Sequence, residues 1–430
     1  MSLPQDQHSP RSQFLDPYLS IKPQRPLARL ADEIASNIEH QLGADFTRAP
    51  RRDATERRRQ VVASIIANLV LLVLAPGYRN GDVLAISTAK TKPNRYDRSQ
   101  VGRHLWGQQA GAMAEQGRLT RHPYVFKERV TTYEPTNGLR EQLASIDLTL
   151  ADIERREPGE TIWLSARSAT RGRYGEPAPK ERIDYEDDAD SLLFRRQMAR
   201  INGFLNDAEL SFDGHPQGPI ALHRTFLLRR RADPVAFNLN GRLAGGWWLQ
   251  LPARDRHRIR LNGEPLADLD FKGMFVQLAY RSLDWQLRED FDPYAIPGLE
   301  GHRDGAKLTM LSLLGRHKKM KALSSDLKGV LPEGWDARRL VAAASEVHGD
   351  ISVLFGKDVA VQLMFQESQI LVAGLLRLAD DGVPALPMHD GVMVPQSKKS
   401  SALRAMHEVS GDWLGGAPLP VVEKPILGAL

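Results

Sequence analysis

The residues of this chain best suited to chemistry are carboxylates at segment ends and cations at helical spacing. Pro265–Asp270 (PLADLD) reads as an apolar strand finishing on acid, with an apolar helix expected over Phe271–Leu283. A carboxylate there is anchored on one side and open on the other. That suits hard Mg²⁺, which takes oxygen ligands on a rigid frame; the same pattern also serves as a plain helix N-cap. In PALPMHDGVMVP two short apolar strands flank His389-Asp390-Gly391. Asp-Gly between strands is foremost a hairpin signal; read chemically, it holds Asp390 at a hairpin tip facing a second carboxylate. Asp270 and Asp390 are therefore the candidate metal ligands, for two Mg²⁺ or Mn²⁺ ions. Such a pair aligns the attacking and leaving oxygens of an in-line phosphoryl displacement. Asp268 shares a strand face with Asp270 and is expected at the rim of the site.

Between these segments lies GHRDGAKLTMLSLLGRHKKMK. Arg303 and Lys307 are i and i+4 on one helix, so both point the same way and together suit a triphosphate; an isolated R-x-x-x-K is otherwise ordinary helix surface. Further basic groups are Arg224 with Arg229–Arg231, then Arg254, Arg256, Arg258 and Arg260, then Arg316, Lys318, Lys319 and Lys321. The alternate arginines Arg254–Arg260 are expected to share one side of an extended chain and to suit a phosphate backbone.

The elements that must position these groups belong to a 430-residue chain, 42% hydrophobic and 26% charged, a soluble globular profile. It has no cysteine, which excludes disulfides, thiolate metal sites and cysteine nucleophiles. The net charge of +5 permits a nucleic-acid partner without demanding one. The polar N-terminus has no apolar secretory core. The apolar run Val61–Leu74 is shorter than the roughly 20 residues a bilayer needs, so a buried helix, no membrane partner and a cytoplasmic location are expected. Residues 1–50 read as a flexible arm with one amphipathic stretch at Leu27–Leu42. The run Arg51–Arg59 reads as a solvated helix start or a phosphate contact. Over 51–150 the order is helix, short strand at Val83–Ile86, helix at Gln100–Gln116, two strands within Leu119–Tyr133 and a helix from Asn137. That is the order of a small winged-helix-like nucleic-acid-binding domain. Residues 151–219 read as a connector with one helix at Asp190–Leu205, and 220–430 as the catalytic domain.

Over 220–430 the order of motifs resembles family A (DNA polymerase I-like) polymerases. Asn240-Gly241-Arg242-Leu243 with Leu249-Gln250 and Pro252 is similar to T-G-R-L-S-S…N-L-Q-N-I-P, and Arg258-Ile259-Arg260 to the following G-R-x-I-R. Leu269-Asp270-Phe271 resembles motif A, Asp292-Pro293-Tyr294 the D-I-H element, and Arg303 with Lys307 motif B. Gln366 matches the glutamine of the helix before motif C. His389-Asp390-Gly391 resembles H-D-E, and Pro418–Glu423 the V-P-L-x-V-E strand. The resemblance implies an α+β fold with a right-hand palm and fingers. It implies Asp270 and Asp390 as catalytic metal ligands and Arg303 and Lys307 on the incoming triphosphate. It also implies Arg242, Gln250, Arg258, Arg260 and Gln366 toward the nucleic acid, and His389 at the primer terminus.

The departures define the expected activity. Phe275 stands where motif A has its Glu, Gly315 where motif B has its Tyr, and Gly391 where H-D-E has its Glu. The chain is short for a full thumb, and no acidic exonuclease set precedes the palm. The build resembles the small family A-type primases and polymerases of mobile genetic elements. The expected function is a template-directed nucleotidyltransferase, a primase making short primers on single-stranded DNA from nucleoside triphosphates. A helicase or a small single-strand-binding protein would be its accessory partner. The alternatives are a short-patch DNA polymerase without proofreading and a non-catalytic DNA-binding replication protein. An archaeal–eukaryotic-type primase, suggested by the D-x-D of Asp268 and Asp270, lacks its S-x-H strand here. Phe275, read as one of the apolar series Phe271, Met274, Phe275, Leu278, is expected to pack under its helix. That would leave the sugar pocket open to ribonucleotides, whereas a ring lying over the sugar would act as a steric gate.

Overall fold

The longest apolar run of the sequence becomes the core of one folding unit. In the computed structural model, which describes residues 12–43, 52–74, 81–86, 95–97, 101, 103–125, 130–156, 159–167, 180–288 and 290–426, helix α2 (Arg52–Leu74) is apolar on most of its circumference. It fully buries Val61, Val62, Ile65, Ile66, Leu69 and Val70, as such a helix must. Its one buried amide, Asn68, is satisfied: it donates to Asp16 O and Ser64 O and accepts from Asp16 N, each at 2.8 Å. Helix α1 (Pro26–Gly43) packs Leu27, Ile34 and Ile38 into the same core. The amphipathic stretch of the expected flexible arm is thus a structural helix; residues 1–11 and 44–50 lie outside the described residues. Arg58, from the basic run at 51–59, turns inward onto Glu39 of α1 (Nη2 to Oε2, 2.8 Å). Its role there is a buried tie rather than a solvated start or a phosphate contact; Arg51 lies outside the described residues.

The remainder of this unit is strand and helix in alternation: β1 (Ser12–Phe14), β2 (Leu19–Ile21), β3 (Val83–Ala85), α3 (Arg103–Glu115), β4 (Leu119–His122), β5 (Thr132–Pro135), α4 (Asn137–Ala144) and β6 (Ile153–Arg155). One sheet has the order β1-β3-β5-β4, parallel only between β1 and β3, and β2 pairs with β6. The unit comprises Met1–Glu160 and Glu209–Ala221, the latter carrying the hairpin β9 (Leu210–Phe212) and β10 (His215–Pro216).

The second unit is Thr161–Ala208 with Leu222–Leu430. The expected connector, 151–219, is therefore no body of its own but divides between the two units. Here β7 (Ile162–Arg167), β8 (Lys180–Arg182), β11 (His223–Leu228) and β12 (Asn240–Ala244) form a sheet in the order β12-β11-β7-β8. Helix α5 (Ala189–Asp207) is capped by Asp188, whose carboxylate accepts from Ser191 N at 2.7 Å; the 168–179 stretch of the connector lies outside the described residues. A second, antiparallel sheet has the order β15-β16-β14-β17, from β14 (Leu266–Phe271), β15 (Leu386–Pro387), β16 (Gly391–Pro395) and β17 (Val421–Lys424). Its helices are α6 (Met274–Arg281), α7 (Arg303–Gly315), α8 (Ser325–Val330), α9 (Ala337–Val347), α10 (Ala360–Asp380) and α11 (Lys399–Leu414), with α11 against β14 and β16. The short strand β13 (Ile259–Leu261) runs beside β14 and β16. Among the described residues no helix is long and apolar enough to cross a membrane.

The fully buried Leu69 of α2 has no polar atom to relax toward, so Leu69→Ala leaves a cavity. The expected cost is about 3 kcal/mol, read as a lower urea midpoint for the first unit's unfolding transition.

Candidate active site

All six residues of β14 are buried, the two aspartates included. Asp268 is 5% and Asp270 8% exposed. Buried carboxylates are costly unless compensated, and the sheet supplies the compensation. Asp270 lies opposite Gly391 in the β14–β16 register, and Phe271 N donates to Asp390 O at 3.0 Å. Asp390 is the last residue of the tight turn between β15 and β16, closed by Met388 N to Gly391 O at 2.8 Å. The two aspartates that the sequence places in distant segments are thus neighbours across the β14–β16 pairing. Burial pushes the Asp270 carboxyl well above the usual range. Asp390 pushes the same way, and Lys424 of β17, its Nζ 2.6 Å from Asp270 Oδ2, opposes them. Asp268 is pushed up by burial and steadied by Lys424 and by Arg256, 3.5 Å away.

Gly391 explains its own departure from H-D-E. A Cβ there would fall inside the van der Waals radius of Leu269 O and lie 2.9 Å from Asp270 Cα. Only glycine lets β16 close on β14 at this point, and that closure brings the carboxyls together.

Helix α7 begins at Arg303. A cation at a helix N-terminus opposes the macrodipole, and Asp292 offsets this by accepting from both Arg303 Nη1 (2.6 Å) and Nη2 (3.2 Å); Arg303 in turn holds the Asp292 carboxyl below its ordinary value. Arg303 and Lys307 lie 5.3 and 5.9 Å from the centroid of the Tyr294 ring. Burial, helped by Asp390 and opposed by Arg303, pushes the Tyr294 hydroxyl up to about 12. Tyr294 is therefore beside the cation pair and within electrostatic range of Asp270 and Asp390. Its position was hidden in the sequence, where only its place in the D-I-H-like element marked it.

Arg242 is set by the backbone before it. Asn240 and Gly241 both have positive φ (66° and 78°), and a Cβ on Gly241 would run into Ser368 Oγ. Beneath it the fully buried Arg224 donates to Gly241 O (2.9 Å), Ser368 Oγ (3.0 Å) and Gln369 Oε1 (2.8 Å), fastening β12 to α10. Arg242 then pairs bidentately with the buried Glu367 of α10, at 2.7 and 3.0 Å. Glu367, one residue after the expected Gln366, is thus the ionisable partner here; Gln366 is half-buried on the same helix. Two effects oppose on Glu367: burial, the larger, pushes it up to about 7, and Arg242 pulls it down. His389 is exposed on the turn, and partial desolvation and Arg242 hold it below its ordinary value.

Other expectations are corrected. Arg254–Arg260 do not form a stripe, because Ala253–Arg258 is a 3₁₀ turn rather than extended chain. Arg256 turns to Asp268, Arg258 lies 3.8 Å from Asp255, and Arg260 donates to His257 O and Ile259 O at 2.7 and 2.9 Å. Arg224 is core, not surface, and Arg229 is bonded to Asp358, whereas Arg230, Arg231, Arg254, Lys318, Lys319 and Lys321 are exposed. Gln250 is exposed at the end of a turn that the buried Trp248 anchors through Nε1 to Pro387 O at 2.9 Å. Phe275 is not packed under α6. The helix buries Met274 and Val276–Tyr280 and leaves Phe275 half-exposed. A Cβ on Gly315 would meet Ala360 Cβ at 3.5 Å, an ordinary contact.

Among the described residues no group of three or more acidic or histidine side chains is gathered closely enough to hold a metal ion. The pair at Asp270 and Asp390 is the arrangement Mg²⁺ uses when one or two carboxylates and substrate phosphates complete its shell. Lys424 on Asp270 marks the position as one that accepts a cation. No protein-family model and no curated protein matches this chain.

Two outcomes follow. Gly391→Ala must force β16 from β14 and is expected to cost more than about 2 kcal/mol, as overpacking does, read by urea denaturation. For Glu367, a folded-state value above the unfolded one means that the native state holds the extra proton. Its contribution to stability is full below about pH 4.5 and is lost as pH rises toward 7. Wild-type stability relative to Glu367→Gln should therefore fall across that window, by at most about 3 kcal/mol, in urea denaturation at stepped pH.

Proposed function

We propose that this chain is a template-directed nucleotidyltransferase, a primase that makes short primers on single-stranded DNA by phosphoryl transfer with Mg²⁺ or Mn²⁺. The observation that carries the reading is that the β14–β16 register brings Asp270 beside Asp390, while Arg303 and Lys307 gather on the Tyr294 ring. Two carboxylates from one sheet and two cations on a ring within their electrostatic range suit a substrate that is itself a polyanion with bound metal. The reading accords with the family A resemblance of the motifs and with an antiparallel sheet that carries both aspartates. In the first unit, the order α2, β3, α3, β4, β5, with β5 between β3 and β4, accords with a winged-helix-like domain gripping template DNA.

Asp270 and Asp390 would hold the ions, which supply Lewis-acid stabilisation of the attacking and leaving oxygens. Lys307 and Arg303 bind the triphosphate and offset the charge that develops on it. Arg303 is kept in place by Asp292, and Lys307 by the following turns of α7, whose Met310, Leu313 and Leu314 are buried. Arg242, braced by Glu367, offers a fixed guanidinium next to the His389–Asp390 turn for the primer–template. The half-exposed Phe275 supports the gate reading, in which its ring selects the sugar.

The test is primer synthesis on single-stranded DNA with Mg²⁺ or Mn²⁺. Asp270→Asn and Asp390→Asn are expected to abolish synthesis while DNA binding in a gel-shift assay persists. Lys307→Ala is expected to lower turnover about 10²-fold. Wild-type protein that makes no primer and extends none would leave the non-catalytic DNA-binding alternative; extension without initiation would leave the polymerase. In the same assay Phe275→Ala is expected to raise ribonucleotide use relative to deoxynucleotide use about tenfold. An unchanged ratio removes Phe275 from sugar selection.

A further inference from the structure

Lys424 is unlike the other cations of the site. It is not at helical spacing with Arg303 and Lys307 and comes from the C-terminal edge strand β17, directly opposite Asp268 in the β14–β17 register. Cross-strand and diagonal neighbours on one face lie within reach of a long side chain, and Lys424 uses the diagonal: its Nζ is 2.6 Å from Asp270 Oδ2. Its neighbour Glu423, on the opposite face by strand alternation, pairs with Lys399 of α11.

The two partners differ in what the contact costs them. The Asp270 side chain is 11% exposed, and the Lys424 side chain 49%. The carboxylate needs a cation because it is buried; the ammonium, on a flexible four-carbon stem, can return to water with little loss. Charge balance at the sheet edge points the same way. Asp268 and Asp270 are met by Arg256 and Lys424, one cation for each buried carboxylate. A divalent ion added at Asp270 while Lys424 stays in place would meet a carboxylate whose charge is already offset.

We propose that Lys424 is the resident counter-ion of Asp270, that a divalent ion must displace it to bind, and that this exchange sets the metal affinity of the chain. The inference rests on the reading of Asp270 and Asp390 as metal ligands. Arg256 stays with Asp268 throughout and is not exchanged. Lys424, once displaced, stands at the rim of the site as a free cation.

Two measurements on the full chain, without DNA or nucleotide, test this. In the first, free Mn²⁺ is titrated by electron paramagnetic resonance against wild type, Lys424→Met, Lys424→Gln and Asp270→Asn, each checked by circular dichroism. Both Lys424 variants are expected to bind Mn²⁺ about tenfold more tightly, about 1.4 kcal/mol, and Asp270→Asn to lose binding. In the second, wild-type lysines are acetylated with and without Mg²⁺ and read by peptide mass spectrometry. Modification of Lys424 is expected to rise several-fold with Mg²⁺. Equal or weaker Mn²⁺ binding by the Lys424 variants, or a Lys424 acetylation rate that Mg²⁺ does not change, overturns the proposal while loss of binding in Asp270→Asn keeps the metal reading. Undiminished Mn²⁺ binding by Asp270→Asn overturns the metal reading itself.

Discussion

The organisation of the second unit depends on two carboxylates buried in the middle of a β-sheet. Strand β14 is covered on both faces, so Asp268 and Asp270 lose most of their hydration and must be met by charge or hydrogen bonds. Each neighbour of the strand is adapted to that demand. Strand β17 brings Lys424, and the turn before β13 brings Arg256. Strand β16 begins with a glycine because any side chain would hold Asp390 away from Asp270. A sheet built for stability alone would place valine or isoleucine at these positions. Strongly perturbed buried acids of this kind cluster at functional sites.

Two supports hold the surrounding cations at fixed distances. One is the fastening of β12 to α10 through the buried Arg224, which is bonded to neutral acceptors and leaves the Arg242–Glu367 pair as the charged element above it. The other is α7, whose buried Ala306, Met310, Leu313 and Leu314 fix its rotation and leave Arg303 and Lys307 at the Tyr294 ring. In both, apolar packing decides where a charge can point, and a single acid (Glu367 or Asp292) then restricts its rotamer. The frame is accordingly fixed by packing, whereas the Lys424 that meets Asp270 is half-exposed.

What was legible in the sequence was local. The apolar run at 61–74 required a buried helix, Asp-Gly required a tight turn at 390, and R-x-x-x-K required two cations on one helical face. All three are present, because each depends on a backbone period or a turn preference that nearest neighbours set. The ordered motifs also pointed to Asp270 and Asp390 as partners. The tertiary structure alone decided which charges meet. Arg254–Arg260 lost their stripe to a 3₁₀ turn, Arg224 and Arg58 were drawn into cores, and Glu367 rather than Gln366 took Arg242. Phe275 stayed half-exposed where an apolar series had suggested burial. Lys424 and Tyr294 reached the site by strand register and ring position, which no spacing along the chain records. The reason is one of range: turns and helical faces follow from dihedral preferences within a few residues, whereas ion pairing and burial depend on segments far apart in sequence and on the desolvation that packing imposes on them.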